Sequence, residues 1–223
     1  MSNKIDINSY LEHSALKPDA TKNDIIIACE ETLKYNLYGV VVNPVWVKTA
    51  ASELKKSRTI VVSVCSFPFG ASRTDVKTIE AVNAVNDGAS EVDVVANIGW
   101  IKSENFSEVE NEMRIIKEHL SAEIILKVII ECGKLTDFQQ QEAAKAIINS
   151  GANYIKTSTG LFGGATESSV SSLKKTANGQ IKIKASGGIK TYQQAEKLIR
   201  SGADKIGSSS SVAIMEEFYQ LTV

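Results

Sequence analysis

Three stretches of the sequence follow one plan: NDGASEVDV (86–94), NSGANYIKT (149–157) and RSGADKIGS (200–208). Each begins at the end of a helical pattern, continues with Gly-Ala and a polar residue, and enters a short strand-like run. Gly88, Gly151 and Gly202 suit the left-handed residue that closes a helix. This repetition indicates one strand–helix unit that is copied along the chain.

The same alternation extends over the whole chain. Short runs rich in β-branched residues alternate with longer segments of helical period. Strands are predicted near Tyr10–His13, Gly39–Val42, Thr59–Val64, Glu91–Val95, Ile124–Ile130, Tyr154–Lys156, Ile181–Ala185 and Lys205–Ile206. Helices are predicted near 22–36, 45–56, 73–87, 104–119, 137–149, 167–177, 191–201 and 211–220. Thr21, Thr136 and Thr191 are predicted helix N-caps, each with a capping-box residue three positions on.

Eight strand–helix units in 223 residues predict an α/β fold, a (β/α)8 TIM barrel. The competing fold is an open doubly wound sheet. A GxGxxG turn after the first strand would favour that sheet, and the sequence contains no such turn. Because no linker or low-complexity stretch divides the chain, we expect residues 1–223 to form a single domain.

The composition is that of an ordinary globular protein, with 43% hydrophobic and 23% charged residues. A net charge of −1 gives no electrostatic reason to expect a nucleic acid or an anionic membrane as partner. No apolar run has the length of a membrane span, and the N-terminus lacks the apolar core of a signal peptide. We therefore expect a cytoplasmic protein.

Three cysteines and two histidines leave little material for a metal site. Cys29, Cys65 and Cys132 are widely spaced, form no CxxC pair and are expected to be buried reduced thiols. His119 lies in a charged helical segment and is expected at the surface. We predict no metal, while a site made of carboxylates alone stays open.

Alternation of side chains along the strands predicts much charge inside the barrel. In EVDVV (91–95), LKVIIE (126–131) and IKIKA (181–185), one set of alternate residues is apolar and faces the helices, and the other contains the charges. The charged residues assigned to the interior are Asp93, Lys127, Glu131, Lys156, Lys182 and Lys184. Lys127 and Lys182 lie deeper, and the others lie near the carboxyl ends of strands, where such barrels hold their active sites. One such lysine alone is often only a structural ion pair, but the convergence of several favours a site.

Two lysines and an aspartate near the carboxyl ends of the strands can perform carbonyl chemistry. A second ammonium group and burial both lower the pKa of a lysine, so one of the two can be a neutral amine that attacks a carbonyl carbon. The resulting Schiff base draws electrons from the adjacent carbon, where a C–C bond can then break or form. Asp93 is the inward carboxylate available to move the proton. These residues predict a metal-free aldolase.

Two loops near the end of the chain are predicted to bind phosphate. ASGGIK (185–190) follows the seventh strand, and IGSSSSV (206–212) follows the eighth. Glycines allow close approach to backbone amides, and the start of a helix favours an anion. In barrels of this type these two loops frequently bind phosphate. The alternative is an ordinary Gly-rich turn and a Ser-rich helix cap.

Eight stretches carry a resemblance to a known family: LKPDAT (16–21), YGVVVNP (38–44), SFPFG (66–70), EVDVVANIG (91–99), LKVIIE (126–131), IKTSTG (155–160), KASGGIKT (184–191) and IGSSSSVAI (206–214). By these motifs the chain resembles the deoxyribose-phosphate aldolase (DeoC) family of class I aldolases over almost its whole length. KTSTG followed by KASGGI is highly specific.

The resemblance implies a reaction and the residues that perform it. The reaction is the reversible cleavage of 2-deoxy-D-ribose 5-phosphate to D-glyceraldehyde 3-phosphate and acetaldehyde, in deoxynucleoside breakdown. Lys156 is implied as the Schiff-base nucleophile, Lys184 as the lysine that tunes its pKa and exchanges protons, and Asp93 as a further proton donor and acceptor. The residues implied in binding the substrate and its phosphate are Thr159, Gly187, Gly188, Gly207, Ser209 and Ser210. No cofactor is implied, and the family is cytoplasmic and usually dimeric or tetrameric.

Glu12 is the departure from the family pattern that bears on the site. The family commonly has DHTLLKP where this chain has EHSALKP (12–18), so Glu12 replaces an aspartate that helps to position the catalytic lysines. Cys132 stands where threonine is common, and Ser211 replaces a frequent glycine. Two other functions stay open: a Schiff-base aldolase for a different sugar phosphate, and a non-catalytic phosphate-binding barrel, which Glu12 alone favours.

Overall fold

The fold is a closed barrel of eight parallel strands surrounded by helices, and the computed structural model of the chain describes it for residues 5–221. The strands are β1 (Leu11–Ala15), β2 (Gly39–Val42), β3 (Ile60–Cys65), β4 (Glu91–Val95), β5 (Ile125–Ile129), β6 (Tyr154–Lys156), β7 (Lys182–Ser186) and β8 (Lys205–Ser208). Each strand pairs with the next, and β8 closes the barrel against β1. The predicted (β/α)8 barrel is confirmed, and the open sheet is excluded.

The helices of this region follow the predicted order with one addition. They are α1 (Lys22–Lys34), α2 (Val47–Leu54), α3 (Thr74–Asn86), α4 (Ile98–Lys102), α5 (Phe106–Glu118), α6 (Asp137–Asn149), α7 (Glu167–Ala177), α8 (Tyr192–Arg200) and α9 (Ser211–Gln220). The addition is α4, a short helix capped by the Asn97 side chain, which accepts a hydrogen bond from Trp100 N. The segment before α2 is a 3₁₀ turn at Pro44–Trp46, because proline suits the first turn of a helix.

Local capping explains why the repeated units begin and end where the sequence indicates. Thr21, Thr136 and Thr191 each form a complete capping box, as predicted. Such a cap contributes roughly 1 kcal/mol to helix stability. The predicted left-handed glycines also have positive φ angles: Gly88 at 113°, Gly151 at 80° and Gly202 at 111°. No other residue adopts these angles as readily as glycine.

The barrel interior has two different halves. On the side of β2 and β3 it is apolar, formed by Val41, Val62 and Val64 with Leu16 and Phe67 packed against them. The other strands contribute charged side chains. Because all eight strands are parallel, their carboxyl ends open on one face, which we call the rim. None of the helices in residues 5–221 is long and apolar enough to cross a lipid bilayer.

Candidate active site

Six buried charged side chains meet inside the barrel, and we call them the charge cluster: Glu12, Glu91, Asp93, Lys127, Lys156 and Lys184. Their strands bring them together by register, because Asp93 lies opposite Lys127 and Lys156 lies opposite Lys184. The predicted proximity of Asp93, Lys156 and Lys184 is confirmed by their contacts.

Asp93 is the centre of the charge cluster. Its Oδ2 accepts hydrogen bonds from Lys156 Nζ at 2.7 Å and from Lys184 Nζ at 2.5 Å, and its Oδ1 accepts one from Lys127 Nζ at 3.1 Å. Burial raises the pKa of Asp93, but the ammonium groups of Lys127, Lys156 and Lys184 lower it more, to well below its ordinary value. Asp93 is therefore ionised near neutral pH.

Lys156 ends β6 at the rim, and its amine has a lowered pKa. Burial lowers the pKa most and the Lys184 ammonium lowers it further, whereas Asp93 and Glu12 raise it in part, and the result is about 8. The ring of Phe67 lies 6.0 Å from its Nζ. A lysine with this pKa is partly a neutral amine near neutral pH, which is the form that attacks a carbonyl carbon.

Lys127 lies below the rim and has three carboxylate partners. Its Nζ contacts Glu91 and lies 3.1 Å from Asp93 Oδ1 and 3.3 Å from Glu12 Oε1. Burial lowers its pKa, but Asp93, Glu12 and Glu91 raise it more, to well above its ordinary value. Lys127 and Glu91 were not among the predicted site residues, although the alternation in EVDVV and LKVIIE directs both inward.

Glu12 keeps contact with two lysines despite its extra methylene. Its carboxylate contacts Lys184 Nζ, and its Oε2 lies 3.3 Å from Lys127 Nζ. Both Glu12 and these lysines are completely buried. Glu12, the one residue that favours a non-catalytic barrel in the sequence, is therefore itself part of the charge cluster.

The prediction that Lys182 lies buried deep in the barrel interior is wrong. Lys182 is the first residue of β7, and it is exposed at the amino end of the barrel, opposite the rim. Its Nζ lies 5.6 Å from the ring centroid of Tyr154. Alternation identifies the face of a strand, but the first residue on that face reaches solvent because the barrel ends there.

Glu131 is buried at the rim and holds the loop that follows Lys156. Its backbone is left-handed, with φ of 57°, so it no longer belongs to β5. Its Oε2 accepts hydrogen bonds from the amide of Thr159 at 3.0 Å and from the Thr159 hydroxyl at 2.5 Å. The structure thus shows Thr159, a predicted substrate contact, engaged with Glu131.

The two predicted phosphate loops lie side by side at the rim, because β7 and β8 are neighbours. Gly187 and Gly188 have φ angles of 91° and 73°. Ser209 is exposed and Ser210 partly exposed, directly before α9. Backbone amides at the start of this helix favour an anion.

Two glycines next to these loops provide space. A Cβ on Gly207 would lie 3.1 Å from Lys184 Cε, so this buried glycine makes room for the lysine inside the barrel. A Cβ on Gly164 would lie 2.4 Å from the carbonyl oxygen of Gly187, so the loop after β6 packs backbone to backbone against the loop after β7. Gly207, predicted as a phosphate contact, is therefore also a neighbour of the charge cluster.

Residues 11–216 match the DeoC/LacD family of aldolases. The chain belongs to this family. It is 43% identical to the deoxyribose-phosphate aldolase of Mycoplasmopsis pulmonis, over 95% of this chain and 96% of that one. It is 44% identical to that of Natranaerobius thermophilus, over 94% of this chain and 96% of the other.

Solved structures of aldolases have the same fold as this DeoC/LacD family member. The aldolase QR15 superposes with a TM-score of 0.93 at 39% identity, over 98% of both chains. A tetrameric deoxyribose phosphate aldolase from Aeropyrum pernix superposes with a TM-score of 0.89 at 31% identity, over 96% of this chain and 91% of that one.

The cysteines and His119 of this family member are not part of the charge cluster. Residues 5–221 contain no group of three or more His, Cys, Asp and Glu side chains that could hold a metal ion. Cys29, Cys65 and Cys132 are free and buried, as predicted. Burial, followed by Glu131, raises the pKa of Cys132 to about 12 and leaves its thiol a poor nucleophile. His119 is exposed, as predicted.

Proposed function

We propose that this chain is a deoxyribose-phosphate aldolase, which reversibly cleaves 2-deoxy-D-ribose 5-phosphate to D-glyceraldehyde 3-phosphate and acetaldehyde. The observation that carries the proposal is the buried amine of Lys156, with a pKa of about 8, hydrogen-bonded to the carboxylate that also binds Lys184. The identity of 43–44% to proteins of that name supports the same substrate.

In this proposal the neutral amine of Lys156 attacks the aldehyde carbon of the open-chain sugar, and loss of water gives an iminium ion. The bond between the second and third carbons then breaks, its electron pair forms an enamine, and the third-carbon hydroxyl loses its proton. The enamine regains a proton, and water releases acetaldehyde from Lys156. Atoms and charges balance without a cofactor.

The proton steps are assigned to Lys184 and Asp93. Asp93 is hydrogen-bonded to both Lys156 and Lys184, so it is placed to accept a proton beside the reacting amine, and Lys184 is assigned as the donor. Glu12 is a supporting residue that holds Lys184 through a direct contact. The phosphate is assigned to the rim loops of β7 and β8, with Gly187, Gly188, Gly207, Ser209 and Ser210 (the resemblance assigns them, and their amides and hydroxyls suit an anion).

We further propose that residues 1–223 act as one catalytic domain, assembled as a homodimer or homotetramer. The tetrameric relative from Aeropyrum pernix supports an oligomer, and light scattering after gel filtration measures it. A cytoplasmic location is proposed because the family that the chain resembles is cytoplasmic.

The test is reductive trapping with peptide mapping. Acetaldehyde and borohydride are added to the protein, which is then digested, and the modified lysine is identified by mass. We expect a label on Lys156 that the variant Lys156→Met abolishes. A label confined to Lys184 or to the exposed Lys182, or no label, would overturn the assignment. Dihydroxyacetone or pyruvate as the preferred donor would instead favour a different Schiff-base aldolase.

A further inference from the structure

A second buried ion pair lies outside the barrel, between α3 and α5. Lys77 Nζ lies 2.9 Å from Glu112 Oε2, and neither side chain is exposed. Lys77 Nζ also donates a hydrogen bond of 2.9 Å to the backbone carbonyl of Val95. Burying two charges is costly in free energy, and the proposed reaction does not use this pair. Its position therefore needs an explanation.

Val95 is the last residue of β4 and lies two positions after Asp93. The pairing of β3 with β4 ends where Cys65 lies opposite Val94, so Val95 has no register partner in β3. Lys77 supplies a donor at this point. On the other side, Val95 lies opposite Ile129 of β5. The end of the strand that carries Asp93 is thus held by β5 on one side and by an ammonium group on the other.

Glu112 holds this ammonium group and also binds the loop after β4. Its Oε1 lies 3.4 Å from Thr74 Oγ1, which donates to it, and its carboxylate accepts a hydrogen bond from the amide of Asn97. One carboxylate therefore joins the start of α3, the Lys77 ammonium and the residue that caps α4. This arrangement restrains both the end of β4 and the turn that follows it.

We propose that Lys77 and Glu112 are positioning residues for the reaction, because they hold the end of β4 so that Asp93 keeps its contacts with Lys156 and Lys184. This inference rests on the proposed function. Asp93 accepts hydrogen bonds of 2.7 and 2.5 Å from the two lysines, and bonds of this length tolerate little displacement of the strand.

The double variant Lys77→Met/Glu112→Leu tests the proposal. Both charges are replaced together, since removing one would leave the other buried without a partner, whereas apolar replacement of a whole pair is often neutral for stability. We expect a urea midpoint close to that of the wild type, with kcat lowered at least about tenfold by misplacement of the proton acceptor.

The pH dependence of trapping at Lys156 separates positioning from stability. The charged groups that face Lys156 are Asp93 from β4, Lys184 from β7 and Glu12 from β1. Asp93 raises the pKa of Lys156 in the wild type, where that pKa is about 8. If Asp93 is displaced in the double variant, it raises this pKa less, and the trapping rate then rises with pH at a lower pH than in the wild type. On the other side of β4, the ionisable groups are Lys77, Glu112 and Cys65, and Cys65 is also next to Glu80.

A partly exposed ion pair at β7 provides a control for loss of an ion pair away from the rim. Lys174 Nζ lies 3.0 Å from Asp204 Oδ2. This oxygen accepts a hydrogen bond from the amide of Ile183, near the amino end of β7. Lys174→Met/Asp204→Asn removes this ion pair far from the rim, so we expect it to leave both kcat and the pH dependence unchanged.

The outcomes are distinct. A double variant that loses stability but keeps kcat and the pH dependence of trapping would show that the Lys77–Glu112 pair is only structural. If this variant does not fold, Lys77→Met/Glu112→Gln keeps polar contacts at residue 112, and failure of both to fold would also overturn a positioning role. Absence of a label on wild-type Lys156 would overturn the proposed function, and this inference with it.

Discussion

Lys127 and Lys156 are buried lysines on adjacent strands of one barrel, yet their pKa values move in opposite directions. Burial lowers both. Lys127 contacts three carboxylates and its pKa lies well above the ordinary value, whereas Lys156 contacts Asp93, has the Lys184 ammonium nearby and has a pKa of about 8. The balance of neighbouring charges, rather than burial, decides which lysine can become a nucleophile.

The largest expected effect is on the reaction, in the variant Lys156→Met. Removal of the nucleophile should lower kcat/KM for 2-deoxyribose 5-phosphate by at least about 10⁴-fold. The fold should persist, because Asp93 keeps Lys127 and Lys184 as partners. Release of glyceraldehyde 3-phosphate measures the rate, and Lys182→Met, at an exposed lysine, is the control. Residual activity above about a hundredth of the wild-type value would contradict the assignment.

The next effect is on stability, in the variant Lys127→Met. Glu12, Glu91 and Asp93 would lose the ammonium group that they share, which should cost roughly 3–5 kcal/mol in the free energy of unfolding. Lys156→Met should cost less, since it leaves no carboxylate without a cation. Urea unfolding of both variants measures the difference, and equal losses would show that the two lysines are not as different as their contacts indicate.

A pair of substitutions should move the pKa of Lys156 in opposite directions. In the wild type the trapping rate should rise with pH through about 8, because only the neutral amine reacts. Lys184→Met removes a cation that lowers this pKa, so the rise should move to higher pH and activity near neutral pH should fall. Asp93→Asn removes an anion that raises it, so the rise should move to lower pH. Shifts of the same sign in both variants would refute the account.

The smallest effect is expected for Glu12→Asp, which restores the residue that the family commonly has. A shorter side chain should weaken the contact with Lys184 or with Lys127, but Asp93 still binds both. We expect a change in kcat between about 2-fold and 10-fold, below the cost of misplacing a reacting group by about 1 Å. Steady-state kinetics of the two proteins measures it, and a loss of several hundredfold would make Glu12 an essential group.

The fold could be predicted because its determinants are local. Thr136 caps its helix through a residue three positions away, and Gly88 ends one through its own backbone angle. Alternation along neighbouring parallel strands was also enough to predict that Lys156, Lys184 and Asp93 lie close together.

The features that could not be predicted depend on where each strand ends and on which helices pack against each other. Lys182 was misplaced because alternation gives the face of a strand but not the depth along the barrel. Glu131 leaves its strand through a left-handed backbone, which no residue type in LKVIIE requires. The pair of Lys77 and Glu112 joins two helices, so neither helical pattern contains a sign of it.

The charge cluster has a further consequence for the proposed reaction cycle. Its three lysines face three carboxylates, so with all three carboxylates ionised it is electrically neutral only when every lysine is positive. The free amine that attack requires leaves one uncompensated negative charge in an interior that screens charge poorly. An iminium ion on the same nitrogen restores neutrality. Electroneutrality of the interior therefore favours the covalently bound sugar over the reactive free enzyme.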